Sequence, residues 1–260
     1  MKVHKVGVTT PADLSRSVTK VRRSQQHGDV IRQLSLVVSP SVGMACYLSY
    51  SKEIIVENFD ELALTWDNEP RRIERAKTVA TEIIKSISNL GQMVGFEYGC
   101  GTGLLSFTLQ PYLKHITLGD NSLGMLDILK QKIQNANIEN MTPFKVDLEV
   151  DKIPEIKIDL IYILMSLHHI KDIDKVIKAF YNMLNPQGYL CIADLDEEDG
   201  TFHGKDFLGH RGFNQSELSK KLESYGFNNV RSKICYENIK KLDNGQEKKY
   251  PLFLMIAQKE

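Results

Sequence analysis

The chain has 260 residues, 42% of them apolar and 25% charged, with 33 basic side chains balanced by 33 acidic ones. That length suits one sizeable α/β domain with an appendage, or two small domains, and zero net charge leaves no overall electrostatic footprint for nucleic acid or an anionic membrane. No apolar run approaches the ~20 residues that span a bilayer, and Cys46, Cys100, Cys191 and Cys235 are too scattered for a disulfide framework or metal-ligand spacing.

In chain order, residues 1–50 set Lys2, Lys5, Arg16, Lys20, Arg22, Arg23 and Arg32 against only Asp13 and Asp29. Weak periodicity predicts a basic, poorly ordered extension before a domain at 51–260. Its Arg- and Ser-rich, acid-poor composition is also that of a mitochondrial transit peptide, so a mitochondrial destination stands beside the expected cytoplasmic one. Asn68-Glu69-Pro70 then punctuates the chain. Ile73, Ala76, Val79, Ala80, Ile83, Ile84 and Ile87 recur at helical spacing and predict a helix over Arg71 to Ser88.

Beyond Gly91, strands are predicted at Met93 to Tyr98, His115 to Gly119, Thr142 to Val146, Ile158 to Leu164, Gly188 to Ala193, Val230 to Glu237 and Tyr250 to Ala257. Helices are predicted at Leu104 to Leu113, Ser122 to Ala136, Ile173 to Leu184 and Gln215 to Tyr225. The alternation implies right-handed βαβ units: a three-layer α/β sandwich with a mostly parallel sheet and helices on both faces. The last two strands read as a hairpin turning at Asp243-Asn244-Gly245.

The first of these strands runs into Glu97-Tyr98-Gly99-Cys100-Gly101-Thr102-Gly103. Glycines let main chain adopt unusual angles and approach a ligand closely. Dinucleotide sites use G-x-G-x-x-G; here the spacing is G-x-G-x-G, with Leu104 where the third glycine would fall. The next strand ends in Gly119-Asp120, followed by Asn121-Ser122-Leu123-Gly124-Met125. A carboxylate at that strand tip is placed to accept ribose hydroxyls; its plainer role is to cap the following helix.

This pattern resembles class I S-adenosylmethionine (AdoMet)-dependent methyltransferases, in the small-molecule branch typified by ubiquinone and menaquinone biosynthesis. The resemblance spans roughly Phe59 to Lys259. It implies a seven-stranded sheet whose C-terminal strand is antiparallel, and AdoMet as cofactor with S-adenosylhomocysteine as product. It implies cofactor contacts from Glu97, Gly99, Cys100, Gly101, Gly103, Asp120, Asn121, Met125, Asp147, Leu148 and Ser166. Met125 would wall the adenine, and Asp147 with the neighbouring backbone would read its edge. Leu184-Asn185-Pro186-Gln187-Gly188 matches the family's turn before the fifth strand, except at Gln187.

Met165-Ser166-Leu167-His168-His169-Ile170 follows the fourth strand, as the methyl-side loop does in this branch. His168 and His169 are the candidate bases, since imidazole titrates near neutrality; their plainer role is packing. Trp66, Asp194, His203 and His210 are candidates for the acceptor side. No metal is expected, because the acids of 194–199 are consecutive. The leading expectation is methyl transfer to a small molecule by in-line displacement. The alternatives are an AdoMet-binding module without turnover, or a methyltransferase acting on protein or on RNA, for which Lys220-Lys221, Lys240-Lys241 and Lys248-Lys249 offer an RNA-facing patch. Against the last stands the absence of an Asn-Pro-Pro-Tyr-type loop after the fourth strand.

Overall fold

The computed structural model describes residues 58–260, except 205, 243 and 244, and within residues 1–57 only the backbone of four strands. Those strands are β1 (Val18–Arg22), β2 (Asp29–Val37), β3 (Tyr47–Tyr50) and β4 (Ile54–Val56), and β2 pairs antiparallel with each of the others. The rest of residues 1–50, with its expected disorder and targeting role, lies outside the described residues. Two compact units divide between Asn58 and Phe59, beyond the boundary expected after residue 50.

The second unit is the α/β domain. Its strands are β5 (Val94–Tyr98), β6 (His115–Asp120), β7 (Met141–Lys145), β8 (Ile158–Leu164), β9 (Leu184–Leu195), β10 (Phe227–Lys241) and β11 (Glu247–Lys259). They form one sheet in the order β10-β11-β9-β8-β5-β6-β7. The pairings β8–β9, β5–β8, β5–β6 and β6–β7 are parallel, and β11 is antiparallel to both its neighbours. Strand order reverses between β5 and β8, the kind of switch point outside which open α/β sheets bind ligands. Pro143 sits in β7, at the sheet edge where its missing N–H costs no ladder bond.

Helices follow the predicted periodicity. Before the sheet come α1 (Phe59–Leu62) and α2 (Pro70–Ser86); α3 (Leu104–Leu109) follows β5, α4 (Leu123–Asn135) follows β6, α5 (Ile173–Met183) follows β8 and α6 (Gln215–Ser224) follows β9. Their starts are chemically marked. Pro70 opens α2 behind Glu69, and Ser122, Asp172 and Asn214 cap α4, α5 and α6 with side-chain oxygens. Period-2 alternation splits the strands between two cores. Ile161, Ile163, Leu190, Ile192, Phe253 and Met255 pack with Val176, Ile177, Phe180, Leu218 and Leu222 of α5 and α6. Leu160, Tyr162, Cys191, Ala193, Leu252 and Leu254 pack with Val79, Ile83, Leu105, Leu126 and Leu129 of α2 to α4. Among the described residues, no helix is long and apolar enough to cross a membrane. In the hairpin turn, Asp243 and Asn244 are outside the described residues, and Gly245 has φ 82°.

Candidate functional site

The turn after β5 folds back on β6: the N–H groups of Gly99 and Cys100 both donate to the Gly119 carbonyl, at 2.8 and 3.2 Å. Gly99, Gly101 and Gly103 have φ of 68°, 52° and 80°, in the left-handed region. They serve different ends. A Cβ on Gly99 would lie 2.6 Å from Ser166 Cβ and Oγ, and one on Gly103 would lie 2.6 Å from Leu129 Cδ1; both are packing glycines. At Gly101 the nearest atoms, Met125 Sδ and Trp66 Nε1, stand 3.9 Å away. A Cβ at Gly101 would thus meet only ordinary van der Waals contact, so of the three glycines its backbone is the one not closed off by tight packing. Cys100 is buried, and desolvation holds its thiol well above its ordinary pKa.

Asp120, at the tip of β6, joins this cradle. Its carboxylate accepts from Gly101 N (2.7 Å) and Ser122 N (2.8 Å). Burial raises its pKa, against the N–H bonds from Ser122, Gly101 and Asn121 that lower it. Each carboxylate oxygen retains a second lone pair for a hydroxyl. Asn121 is exposed beside it, and Met125 is buried. Ser166 Oγ donates to the carbonyls of Gly99 and Leu164, both at 3.1 Å, which ties the β8 loop to the glycine turn.

Two expected contacts sit elsewhere. Glu97 turns its carboxyl under α3, where Ser106 Oγ donates to it and Tyr162 Oη lies 2.7 Å from that hydroxyl. Burial pushes its pKa up to about 8. Leu148 is buried in the core with its N–H donated to Tyr98 Oη at 3.0 Å, so this backbone group is already engaged. Asp147 is half-buried and accepts from Glu149 N at 2.9 Å.

The segment that carries Trp66, expected on the acceptor side, lies across the turn. Ala63–Asn68 is a 3-10 helix, and its Trp66 projects Nε1 toward Gly101. Arg72 stacks its guanidinium 3.7 Å from the centre of the indole and donates to Trp66 O at 3.0 Å. Next door, Asp67 accepts from Thr102 Oγ1 (2.5 Å) and Lys132 Nζ (2.6 Å), while Lys132 also donates to Thr102 O (2.8 Å). Asp60 accepts from Ser122 Oγ and Gly124 N, at 2.6 and 2.8 Å. The Ser122 hydroxyl, and after it the Gly124 N–H, hold the Asp60 carboxyl below its ordinary pKa.

The histidines gather on the adjoining loops. His168 is fully buried, with Nδ1 at 2.6 Å from Asp194 Oδ1 and Nε2 at 3.0 Å from His203 Nε2. Asp194 is also fully buried. Burial alone would raise its pKa, yet the charge and hydrogen bond of His168 bring it below the ordinary value. His169 lies 4.2 Å from His168 by ring centroids and meets Phe59 edge-on at 5.4 Å, and Phe59 in turn contacts Trp66 at 5.9 Å. That chain of rings links the histidines to the glycine turn. His203 stacks on Phe207 at 4.0 Å. Ring nitrogens of His168, His169 and His203 all lie within 4.8 Å of one another. The acids that followed in sequence are spent locally: Glu198 accepts from Gly200 N, Asp199 pairs with Lys248, and Asp196 accepts from Gln215. His210 donates its N–H to His168 O (2.7 Å) but packs its ring on Phe213, so it braces the cluster through its backbone. Near Asp194, half-buried Arg75 donates to Asn238 Oδ1 at 2.8 Å, while the buried atoms Arg75 Nε and Asn238 Nδ2 have no partner.

Comparison with known proteins agrees with this geometry. Residues 96–190 match the sequence profile of a family described as a methyltransferase domain. An uncharacterised methyltransferase of Schizosaccharomyces pombe is 29% identical over 164 residues, covering 59% of this chain and 58% of that protein. The malonyl-[acyl-carrier protein] O-methyltransferase of Calditerrivibrio nitroreducens is 29% identical over 110 residues, 40% of this chain and 38% of that one. The chain thus spans about half the length of the curated relatives it matches. A SAM-dependent methyltransferase structure from Aquifex aeolicus superposes with a TM-score of 0.54 at 16% identity, covering 73% of this chain and 98% of that one. These relatives do not single out the quinone-biosynthesis branch. The sheet order, the glycine turn and the match over 96–190 agree: residues 96–190 are similar to a methyltransferase domain, and the sheet that carries them has the Rossmann-like methyltransferase fold.

Proposed function

We propose that the domain transfers the methyl group of AdoMet to a small molecule. The observation that carries this reading is the left-handed Gly101 peptide, free of tight packing between Met125 Sδ and Trp66 Nε1, with the Asp120 carboxylate bonded to that same peptide. When bound, AdoMet supplies an already activated methyl group. The chain's own part is to position. Gly101 offers bare backbone beside the methionine portion, Asp120 accepts ribose hydroxyls, Asp147 meets the base edge, and Trp66, held by Arg72, covers the turn. Alignment of acceptor and methyl is worth up to several kcal/mol of barrier.

The acceptor side lies toward Phe59, His169 and His203, where imidazoles are at hand for a proton the acceptor must lose. A named O-methyltransferase among the relatives is consistent with an acceptor bearing an oxygen. An RNA acceptor is disfavoured, because Lys221, Lys248 and Lys249 are paired with Asp174, Asp199 and Glu237 rather than arrayed as a patch.

The test has two steps. Calorimetry with S-adenosylhomocysteine should give a single saturable site. Incubation with labelled AdoMet and fractionated metabolite extracts should then label a small, protease-resistant product. Binding without any labelled product in any extract would favour the binding-module reading, and no binding would end both.

A further inference from the structure

We infer that His168, His169 and His203 form a three-imidazole site for one divalent cation of the zinc class, braced from behind by Asp194. Three histidines with an open fourth position are a donor set suited to zinc and its first-row neighbours. The geometry already brings two ligands close to the required separation. Two nitrogens each ~2.1 Å from a tetrahedral zinc stand about 3.4 Å apart, and His168 Nε2 and His203 Nε2 are 3.0 Å apart. The three ring nitrogens fall within 4.8 Å. Closing that span takes about 1.5 Å, within reach of a side-chain rotation by half-buried His169.

Asp194 supplies the feature that most separates a ligand from a packed histidine. Metal-bound imidazole almost always gives its second ring N–H to a carboxylate or carbonyl, which fixes its tautomer and aim. His168 Nδ1 faces Asp194 Oδ1 at 2.6 Å, and the same carboxylate accepts the His168 backbone N–H at 3.2 Å. Nε2 is thereby directed outward with its lone pair available. With both rings neutral, the hydrogen shared by the two Nε2 atoms shifts to His203 Nδ1 on metal binding, and any proton held by an imidazolium is released to solvent. Phe207, stacked on His203, and the His210 backbone, bonded to His168 O, hold the two loops together around the site.

The use of the ion rests on the methyl-transfer reading: its open position would take an acceptor oxygen and make its proton easier to lose. Binding of the ion does not rest on that reading. Untagged full-length protein, stripped with chelator and desalted, is titrated with Zn2+ by calorimetry and with Co2+ by visible absorption. The expected result is one ion per chain, with the d–d bands of a nitrogen-ligated, low-coordinate cobalt. His203→Gln, on the half-buried loop, should abolish the bands. Asp194→Asn should weaken binding about 10–100-fold, and His115→Ala, remote on β6, should change nothing. S-adenosylhomocysteine calorimetry on the same samples reports separately on folding and on the cofactor site. Absence of a cobalt spectrum in folded, cofactor-binding protein would overturn the inference, as would a spectrum unchanged in both His203→Gln and His168→Gln.

Discussion

Replacing Glu97 by glutamine isolates the charge of the acid before the glycine turn. Burial holds this carboxyl at about 8, against an ordinary 4.5, with Ser106 donating to it. Unfolded, the group ionises near its ordinary value; folded, it keeps its proton to about pH 8. Between those limits the native state binds one proton more than the unfolded chain. The contribution to stability is therefore full below about pH 4.5, falls by ~1.4 kcal/mol per pH unit, and is gone above about pH 8. The whole span is worth roughly 5 kcal/mol. Glutamine accepts the same Ser106 hydrogen bond and does not titrate, so the variant should gain on the wild type by several kcal/mol between pH 5 and pH 8.5. Urea unfolding at a series of pH values, followed by the fluorescence of Trp66, measures this directly. Trp66 is the single tryptophan and lies in the same compact unit. A difference between variant and wild type that stays constant within ~0.5 kcal/mol across this range would mean that Glu97 is ionised when folded, and the argument from burial would be refuted.

Asp120→Asn should weaken S-adenosylhomocysteine binding by about 1–3 kcal/mol through loss of charge-assisted bonds, read by calorimetry. In the wild type, affinity should decline on acidification from a pH above the ordinary carboxylate range, because burial raises the Asp120 pKa and the protonated form accepts less well; affinity flat into strongly acid pH would contradict this. Gly99→Ala should cost about 1–3 kcal/mol from its left-handed backbone alone and more from contact with Ser166, so adding Ser166→Gly should recover only the contact part of the lost thermal stability. Asp67→Ala removes a partly exposed latch, so it should lower stability by less than ~1 kcal/mol while speeding S-adenosylhomocysteine dissociation several-fold in stopped-flow fluorescence.

What the sequence made legible was local chemistry. The βαβ alternation and the glycine turn depend on neighbours a few positions away, and each falls where periodicity and turn chemistry place it, whereas the helix cap read at Asp120 falls instead to Ser122. Asp120 was legible because one crossover helix fixes the distance between strand tips. Misplacements arose where a partner comes from another element. The Leu148 N–H looked available until Tyr98 of β5 reached it, and Glu97 looked like a crevice residue until Ser106 of α3 and Tyr162 of β8 drew it inward. The histidine cluster was half legible: the 168–169 pair stood out, but no local signal ties His203 to it across 35 residues. Arg75 and Asn238 were invisible for the same reason, since an orphan donor is defined by everything around it.

The distribution of cost across the domain argues where its chemistry must lie. Through most of the sheet the interior is apolar and the strands alternate between two cores, which needs no special conformation. At the C-terminal ends of β5, β6, β8 and β9 the rules change together. Three glycines take positive φ, Met165 takes φ 53° without being glycine, and Glu97, Asp120, His168 and Asp194 are buried polar groups. Each such feature costs about 1–3 kcal/mol unless compensated, and a marginally stable domain of this size tolerates few of them. The compensations found here, Asp120 to the Gly101 peptide, Ser166 to Gly99 and His168 to Asp194, run between different strand ends and lock those ends to one another. A purely structural sheet would have no reason to gather buried polar side chains at those strand ends. A site that must hold a cofactor and an acceptor in line does, because the same cross-strand bonds that offset the cost also fix the reacting groups in place.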